Sequence, residues 1–361
     1  MKIIHCADLH LDSKMETNFS REQARERRYE ILGTFEKMIG YAVENDIEII
    51  LIAGDMFDTP QNQQKTIKDR VIDAIRSAGS IDFLYLQGNH DNDGFFKSME
   101  DRPKNLKLFS KEWTGYRYGD IVVSGIEFSQ EGNKDIYSGL SLDENDFNIV
   151  TLHGQVSEYG SSKDASLINL KALENKYIDY LALGHIHSYV EDKLDYRGVY
   201  CYPGCLEGRG FDEFGRKGFV VLHIESGNLS TEFIPIARRT FHEIKVDVSD
   251  CKEASAINSL VKEKVSGISS GDIVRLIFQG EVLEDTEVDT YYIEEKLKDQ
   301  YYFSQVLDET EVKIDYLKYK NDISLKGEFI RKVKDLDISE KEKGKVIKMG
   351  IDAIVGKEVR L

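Results

Sequence analysis

One pattern recurs five times in the N-terminal half of this chain: a short run rich in Ile, Val and Leu that ends in Asp, His, Asn or Gly. Met1–Ala7 leads into Asp8-Leu9-His10, Ile47–Ala53 into Gly54-Asp55, and Ile81–Gln87 into Gly88-Asn89-His90-Asp91. Phe147–Leu152 leads into His153-Gly154, and Tyr177–Leu183 into Gly184-His185-Ile186-His187. Apolar runs of this length with polar punctuation read as buried strands. Helical patterns lie between them: Ser20–Glu44, Lys65–Ser77 with apolar residues at 67, 71, 72 and 75, and Ala165–Lys176. Strands alternating with helices imply an α/β architecture with helices covering extended strands. Such folds bind ligands at the carboxyl ends of their strands. A single His at a strand end can simply satisfy its own loop, but five strands ending in ligand-type residues point to one shared site.

Around residues 235–240 the pattern changes. Phe241–Val248, a helix near Ala254–Val265, a strand at Asp272–Gln279, Tyr291–Lys298 and Glu311–Tyr319 read as a small α+β unit without that punctuation. Leu325–Leu361 reads as two short amphipathic helices, with Gly350 interrupting the second and Gly356 ending it. The expected organisation is residues 1–238, 239–322 and 323–361, the last a candidate docking segment for a partner. At 361 residues the chain exceeds one ordinary domain, and 41% hydrophobic residues provide ample core. No apolar run approaches the ~20 residues that span a bilayer, and the first segment is too short for a signal-peptide core. A cytoplasmic protein without a membrane partner is expected. Its four cysteines lack paired metal spacing and read as free thiols.

Two divalent cations about 3.5–4 Å apart clamp a phosphate ester and activate water. They need a carboxylate that contacts both, further imidazole and oxygen ligands, and open positions for substrate. Asp55, behind a Gly, is the natural bridge. Asp8 and His10 fit one metal, Asn89 offers a neutral oxygen to the other, and His153, His185 and His187 complete the two shells. This donor set suits manganese, iron or zinc better than calcium. His90, beside a ligand, is placed to protonate a leaving oxygen, with Asp91 a candidate to orient it. His5, His223 and His242 lie in apolar or mixed stretches and read as structural.

Taken in order, Asp8-Leu9-His10, Gly54-Asp55-Met56-Phe57-Asp58, Gly88-Asn89-His90-Asp91, His153-Gly154 and Gly184-His185-Ile186-His187 resemble the motif set of the calcineurin-like metallophosphoesterases. The resemblance implies a two-sheet sandwich flanked by helices, with a smaller α+β capping domain and C-terminal helices. It also implies that Asp8, His10, Asp55 and His187 hold one metal, that Asp55, Asn89, His153 and His185 hold the other, and that His90 is the catalytic histidine. Manganese is the expected ion, with iron, zinc or magnesium as alternatives. Within the superfamily, Gly-Asp-x-Phe-Asp and the segment from Tyr202-Pro203-Gly204 to Gly215-Arg216-Lys217-Gly218 look like the SbcD-type DNA repair nucleases. Leu11-Asp12-Ser13, Leu206–Glu213 and Leu325-Lys326-Gly327-Glu328-Phe329 are similar to their YhaO-like exonuclease branch in Firmicutes. Asp58 stands where archaeal and eukaryotic relatives carry a histidine, so their balance of exo- and endonuclease activity does not transfer; Asp58 is a candidate support residue.

The resemblance thus implies hydrolysis of DNA phosphodiesters, an SMC-type ATPase of the SbcC class as partner, and dimerisation. Candidate DNA contacts are Arg21, Arg25 and Arg28 on one helix face, with Arg209, Arg216 and Lys217. The formal charge of −17 weighs against a free-standing nucleic-acid binder. It is less puzzling if bound cations cancel part of it or a partner supplies the grip. A small-molecule phosphodiesterase or phosphatase on the same site is the alternative, and a non-catalytic scaffold a third reading.

Overall fold

The computed structural model describes residues 1–15, 19–58, 65–91, 95–127, 136–157, 167–251, 253–283, 286, 288–354 and 356. The chain forms two compact units, residues 1–240 and 241–361. No helix among the described residues is long and apolar enough to cross a membrane.

The first unit runs β1 (Lys2–Cys6), α1 (Arg21–Glu44), β2 (Ile49–Ala53), α2 (Lys65–Ser77), β3 (Asp82–Leu86), β4 (Leu106–Leu108), β5 (Thr114–Tyr118), β6 (Ile121–Gly125) and β7 (Phe147–His153). It continues with β8 (Gln155–Ser157), β9 (Leu167–Asn169), β10 (Tyr180–Gly184), β11 (Val190–Lys193), β12 (Val199–Tyr202), β13 (Gly218–Glu225) and β14 (Asn228–Pro235). One six-stranded sheet has the order β14-β13-β1-β2-β3-β4 and the other β11-β12-β10-β7-β6-β5. β1, β2 and β3 are parallel, as are β6, β7 and β10. All five residues of β2 are buried because both of its faces are covered. Ile50 and Ile52 pack with Leu32, Phe35 and Val71 of the helices, while Ile49 and Leu51 pack with Phe147, Ile149 and Tyr180 of the facing sheet. The second sheet's other side is filled by Val150, Leu152, Leu181 and Leu183 over Ile168 and Leu173. The two-sheet sandwich expected from the motifs is present.

Two local expectations fail. Ala165–Lys176 is not a helix: Leu167–Asn169 is a strand paired with Gln155–Ser157, followed by a single 3-10 turn at Leu170–Ala172. Asn169 accepts from the Ala172 amide, and Asn175 and Tyr177 take positive φ, so strand pairing and turn chemistry override the helical period. (Residues 165 and 166 lie outside the described residues.) Gly350 does not interrupt its helix, which runs unbroken over Glu340–Ile354. A Cβ there would fall 2.1 Å from the Phe329 ring, so the glycine makes room for that side chain.

The second unit comprises β15 (Phe241–Asp247), α3 (Ala254–Lys264), β16 (Ile273–Gln279), β17 (Glu281–Leu283), α4 (Thr290–Lys298), β18 (Phe303–Asp308), β19 (Glu311–Lys313), α5 (Leu325–Lys334) and α6 (Glu340–Ile354). In this small unit of strands and helices, β15, β16 and β18 form a parallel sheet linked through α3 and α4. The apolar stripe of α5 and α6 is used within the unit: Ile330, Val333 and Ile347 are buried with Tyr319, and Lys348 pairs with Asp308 at 2.5 Å.

Candidate metal centre

The strand ends of the first unit deliver their polar residues through backbone that is out of the ordinary. Asp8, His10, Asp55 and His185 have φ of 52°, 43°, 53° and 103°. Non-glycine residues held in this region cost roughly 1–3 kcal/mol each and cluster at functional sites. Hydrogen bonds between the loops hold them: Asp8 N donates to Gly54 O and His10 N to Asp55 O, both at 3.0 Å. Asp8 accepts from the His185 amide at 2.9 and 3.0 Å. Gly54 and Gly184 lie against His153; a Cβ on either would come within 2.8 Å of its ring. Gly88 likewise leaves room for Asp55, whose Oδ1 would lie 2.2 Å from an added Cβ.

The structure brings together all seven donors read from the sequence. His10 Nε2 and His187 Nε2 are 3.4 Å apart. His153 Nε2 and His185 Nδ1 lie 2.9 and 3.2 Å from Asn89 Oδ1. Asp55 Oδ2 stands between the groups, 4.0 Å from His10 Nε2 and 3.2 Å from His153 Nε2. Asp8, His10 and His187 form one ligand-like cluster, and Asp8, Asp55 and His153 another. The floor is buried (Asp8, His10, Asp55 and His153), whereas Asn89 and His90 are exposed at the rim.

The hydrogen bonds behind the rings fix which nitrogen is free. His10 Nδ1 faces Asp58 at 2.5 Å, His187 Nδ1 faces Glu213 at 2.7 Å, and His153 Nδ1 faces the Ala53 carbonyl at 2.8 Å. A carbonyl or carboxylate only accepts, so each Nδ1 donates its hydrogen and each Nε2 lone pair points into the site. This is the usual arrangement behind metal-bound imidazoles. Spacings of 2.9–3.4 Å also match the octahedral edge of about 3.0 Å that follows from bonds of about 2.1 Å. The residues therefore fit a pair of divalent cations, with Asp8 common to both clusters and Asp55 within 4.0 Å of an imidazole nitrogen of each. Without a cation a proton takes part of this role. Burial alone would lower His153, but the hydrogen bond and charge of Asp55 outweigh it and raise it to about 9. Asp55 is held well below the carboxylate range, because its contacts with His153 and His10 outweigh burial.

Asp91 is not the partner of His90. It is buried, accepting from the amides of Met56, Phe57 and Gly88, and burial beside the Asp55 charge pushes its carboxyl up. It braces the two loops from behind. The carboxylate beside His90 is Asp58, whose Oδ1 lies 3.6 Å from His90 Nδ1. Asp12 Oδ1 in turn accepts from the Asp58 amide at 2.6 Å, with buried Lys68 3.8 Å from Asp12.

Two of the six candidate DNA contacts are committed elsewhere. Lys217 is 2% exposed and its Nζ donates to His187 O at 2.6 Å. Arg209 reaches Asp58 at 3.3 Å and Glu213 at 2.8 Å. Both fold inward because they serve carboxylates and carbonyls beneath the site. Arg28 is half-buried and donates to Lys14 O, whereas Arg21, Arg25 and Arg216 are exposed. The residues missed from the sequence are Glu213 behind His187 and Glu207. Buried Glu207 accepts from Arg27, Thr34 and the amides of Arg238 and Arg239, anchoring the loop that carries Arg209. The imidazole that Glu213 backs and the partners of Glu207 are distant in sequence, so no local spacing announces either role.

Residues 1–189 match the family described as calcineurin-like phosphoesterase. The chain belongs to that family. It is 29% identical over 307 residues to the uncharacterized metallophosphoesterase YhaO of Bacillus subtilis, covering 78% of this chain and 72% of that protein. It is 29% identical over 205 residues to the DNA double-strand break repair protein Mre11 of Sulfurisphaera tokodaii, covering 54% of this chain and 51% of the relative. Against Mre11 of Aeropyrum pernix it is 26% identical over 277 residues, covering 69% and 64%. A dinuclear phosphoesterase centre is thus consistent with both the family and the donor geometry.

Proposed function

We propose that this phosphoesterase is a metal-dependent DNA nuclease, acting as an exonuclease in repair or recombination beside an SMC-type ATPase of the SbcC class. The observation that carries the reading is the shape of the site: buried carboxylates and imidazoles beneath an exposed Asn89 and His90. Such a rim lets a strand lie across the donors, and the similarity to two Mre11 proteins supports DNA as that strand. Two divalent cations, when bound, supply Lewis acidity and lower the pKa of water toward neutral. The chain's own part is to hold them through Asp55 and to present His90. That imidazole, with Asp58 behind its Nδ1, donates a proton to the leaving 3′ oxygen.

The test is incubation of the manganese-loaded protein with single- and double-stranded DNA ends, beside cyclic nucleotides and p-nitrophenyl esters. DNA loss that falls about 10²–10⁴-fold in His90→Asn, with metal content retained, is the expected result. Rapid ester turnover without DNA loss would overturn the nuclease reading. One observation favours that second reading, a small-molecule phosphodiesterase: Arg209 and Lys217 are turned inward, leaving fewer cations for a polymer on a chain of charge −17.

A further inference from the structure

The segment Leu206–Glu213 stands out in the sequence, yet the hydrolytic reading gives it no task. Its Glu213 is 3% exposed, and the side chain accepts from His187 Nδ1 at 2.7 Å and from Arg209 Nη2 at 2.8 Å. The backbone amide of Arg209 also donates to Glu213 Oε2 at 2.7 Å. Across the site, Asp58 accepts from His10 Nδ1 at 2.5 Å and from Arg209 Nη1 at 3.3 Å. One guanidinium therefore joins the two carboxylates that stand behind the two imidazoles of one half-site. Arg209 Nη2 also lies 3.2 Å from His187 Nδ1, but both are donors there, and their shared acceptor is Glu213.

Among the described residues, the other half-site has no such bracket. His153 is backed by a neutral carbonyl, Ala53 O, and Asn89 contributes an uncharged oxygen. The acids at the centre itself do not separate the halves, since Asp8 lies with His10 and His187, and Asp8 and Asp55 lie with His153; what differs is what stands behind the imidazoles. A carboxylate behind an imidazole fixes its tautomer and orientation and raises its basicity as a ligand. An Arg fork holds two carboxylates in a fixed plane, which a single point charge does not.

We propose that Glu213 and Arg209 are positioning residues that pre-assemble the Asp8–His10–His187 half-site, so that it takes a divalent cation before, and more tightly than, the Asn89–His153–His185 half. The proposal rests on the dinuclear reading of the site but not on DNA as substrate, and its test reads metal, not turnover.

The experiment titrates the metal-free full-length protein with Mn²⁺, following heat and the paramagnetic resonance of bound ions. Wild type gives two steps, the first tighter, and His153→Asn removes the weaker one. Glu213→Gln, which keeps the volume and loses the charge, raises the dissociation constant of the tighter step about 10–100-fold and leaves the weaker step nearly unmoved. Arg209→Met weakens the same step, and Arg209→Lys restores part of the loss. A purely structural role would shift both steps together, and that outcome overturns the proposal. So does a tight step unchanged in Glu213→Gln. If Glu213→Gln does not fold, Arg209→Met decides the roles, and two equal steps in wild type overturn the loading order without any variant.

Discussion

Both units of this protein set aspartates at the carboxyl ends of parallel strands, and among the described residues only those of the first gather imidazoles around them. In the second unit Asp247 and Asp308 are the last residues of β15 and β18. Each commits its Oδ1 locally: Asp247 Oδ1 accepts from the amide and hydroxyl of Ser249, and Asp308 Oδ1 from those of Thr310, while Asp308 Oδ2 pairs with Lys348. In the first unit Asp8 and Asp55 occupy positive φ and accept from amides of other strands' loops, at His185 and His90. Even the glycines correspond, since Gly88 clears Asp55 as Gly280 clears Asp247. A carboxylate at a strand end becomes a ligand only when the backbone turns it away from its own loop and imidazoles converge on it.

The largest expected effect tests that contrast directly. Asp55→Asn removes the carboxylate that stands between His10 and His153, so metal content should fall well below two ions per chain and activity by on the order of 10³-fold or more. Metal content unchanged by elemental analysis would break the comparison. A middle-sized effect is pH-dependent and concerns the metal-free protein. His153 is raised from 6.5 to about 9 by Asp55 despite burial. Its paired, charged form stabilises the fold fully below pH 6.5, and that contribution is lost as pH rises through about 9. Melting of metal-free protein should therefore drop between those values relative to metal-loaded protein; parallel profiles would contradict the pairing. The smallest effect is in the second unit: Asp247→Ala should lower the melting temperature only slightly, through the loss of a local turn contact, and leave metal titration untouched.

Much of this was legible in the sequence, for reasons that are local. Buried parallel strands read as continuous apolar runs, and glycine and histidine at their ends mark where the backbone turns. What escaped was set by distance. Glu213 finds His187 across 26 positions and Asp58 finds Arg209 across 151. The residue next to His90, Asp91, looked like its support, yet the peptide turns it inward and a carboxylate from another loop takes that place. Ala165–Lys176 carried a helical period that a partner strand overrode. The exposed arginines of α1 were visible as a face, but burial alone distinguishes Arg27, locked between Glu30 and Glu207, from its neighbours.

The pairing of β1 with β13 has a consequence in time. Lys2 to His5 lie against His223 to Val220, and the terminal amine donates to Ile224 O. The strand that carries Asp8 and His10 is made first, yet it gains its second neighbour only after some 220 further residues have been added. At ordinary elongation rates that wait is roughly 10–40 s. During it the earliest donors sit on a strand with one open edge, which needs shielding from wrong pairings. Long-range closure of this kind is slow.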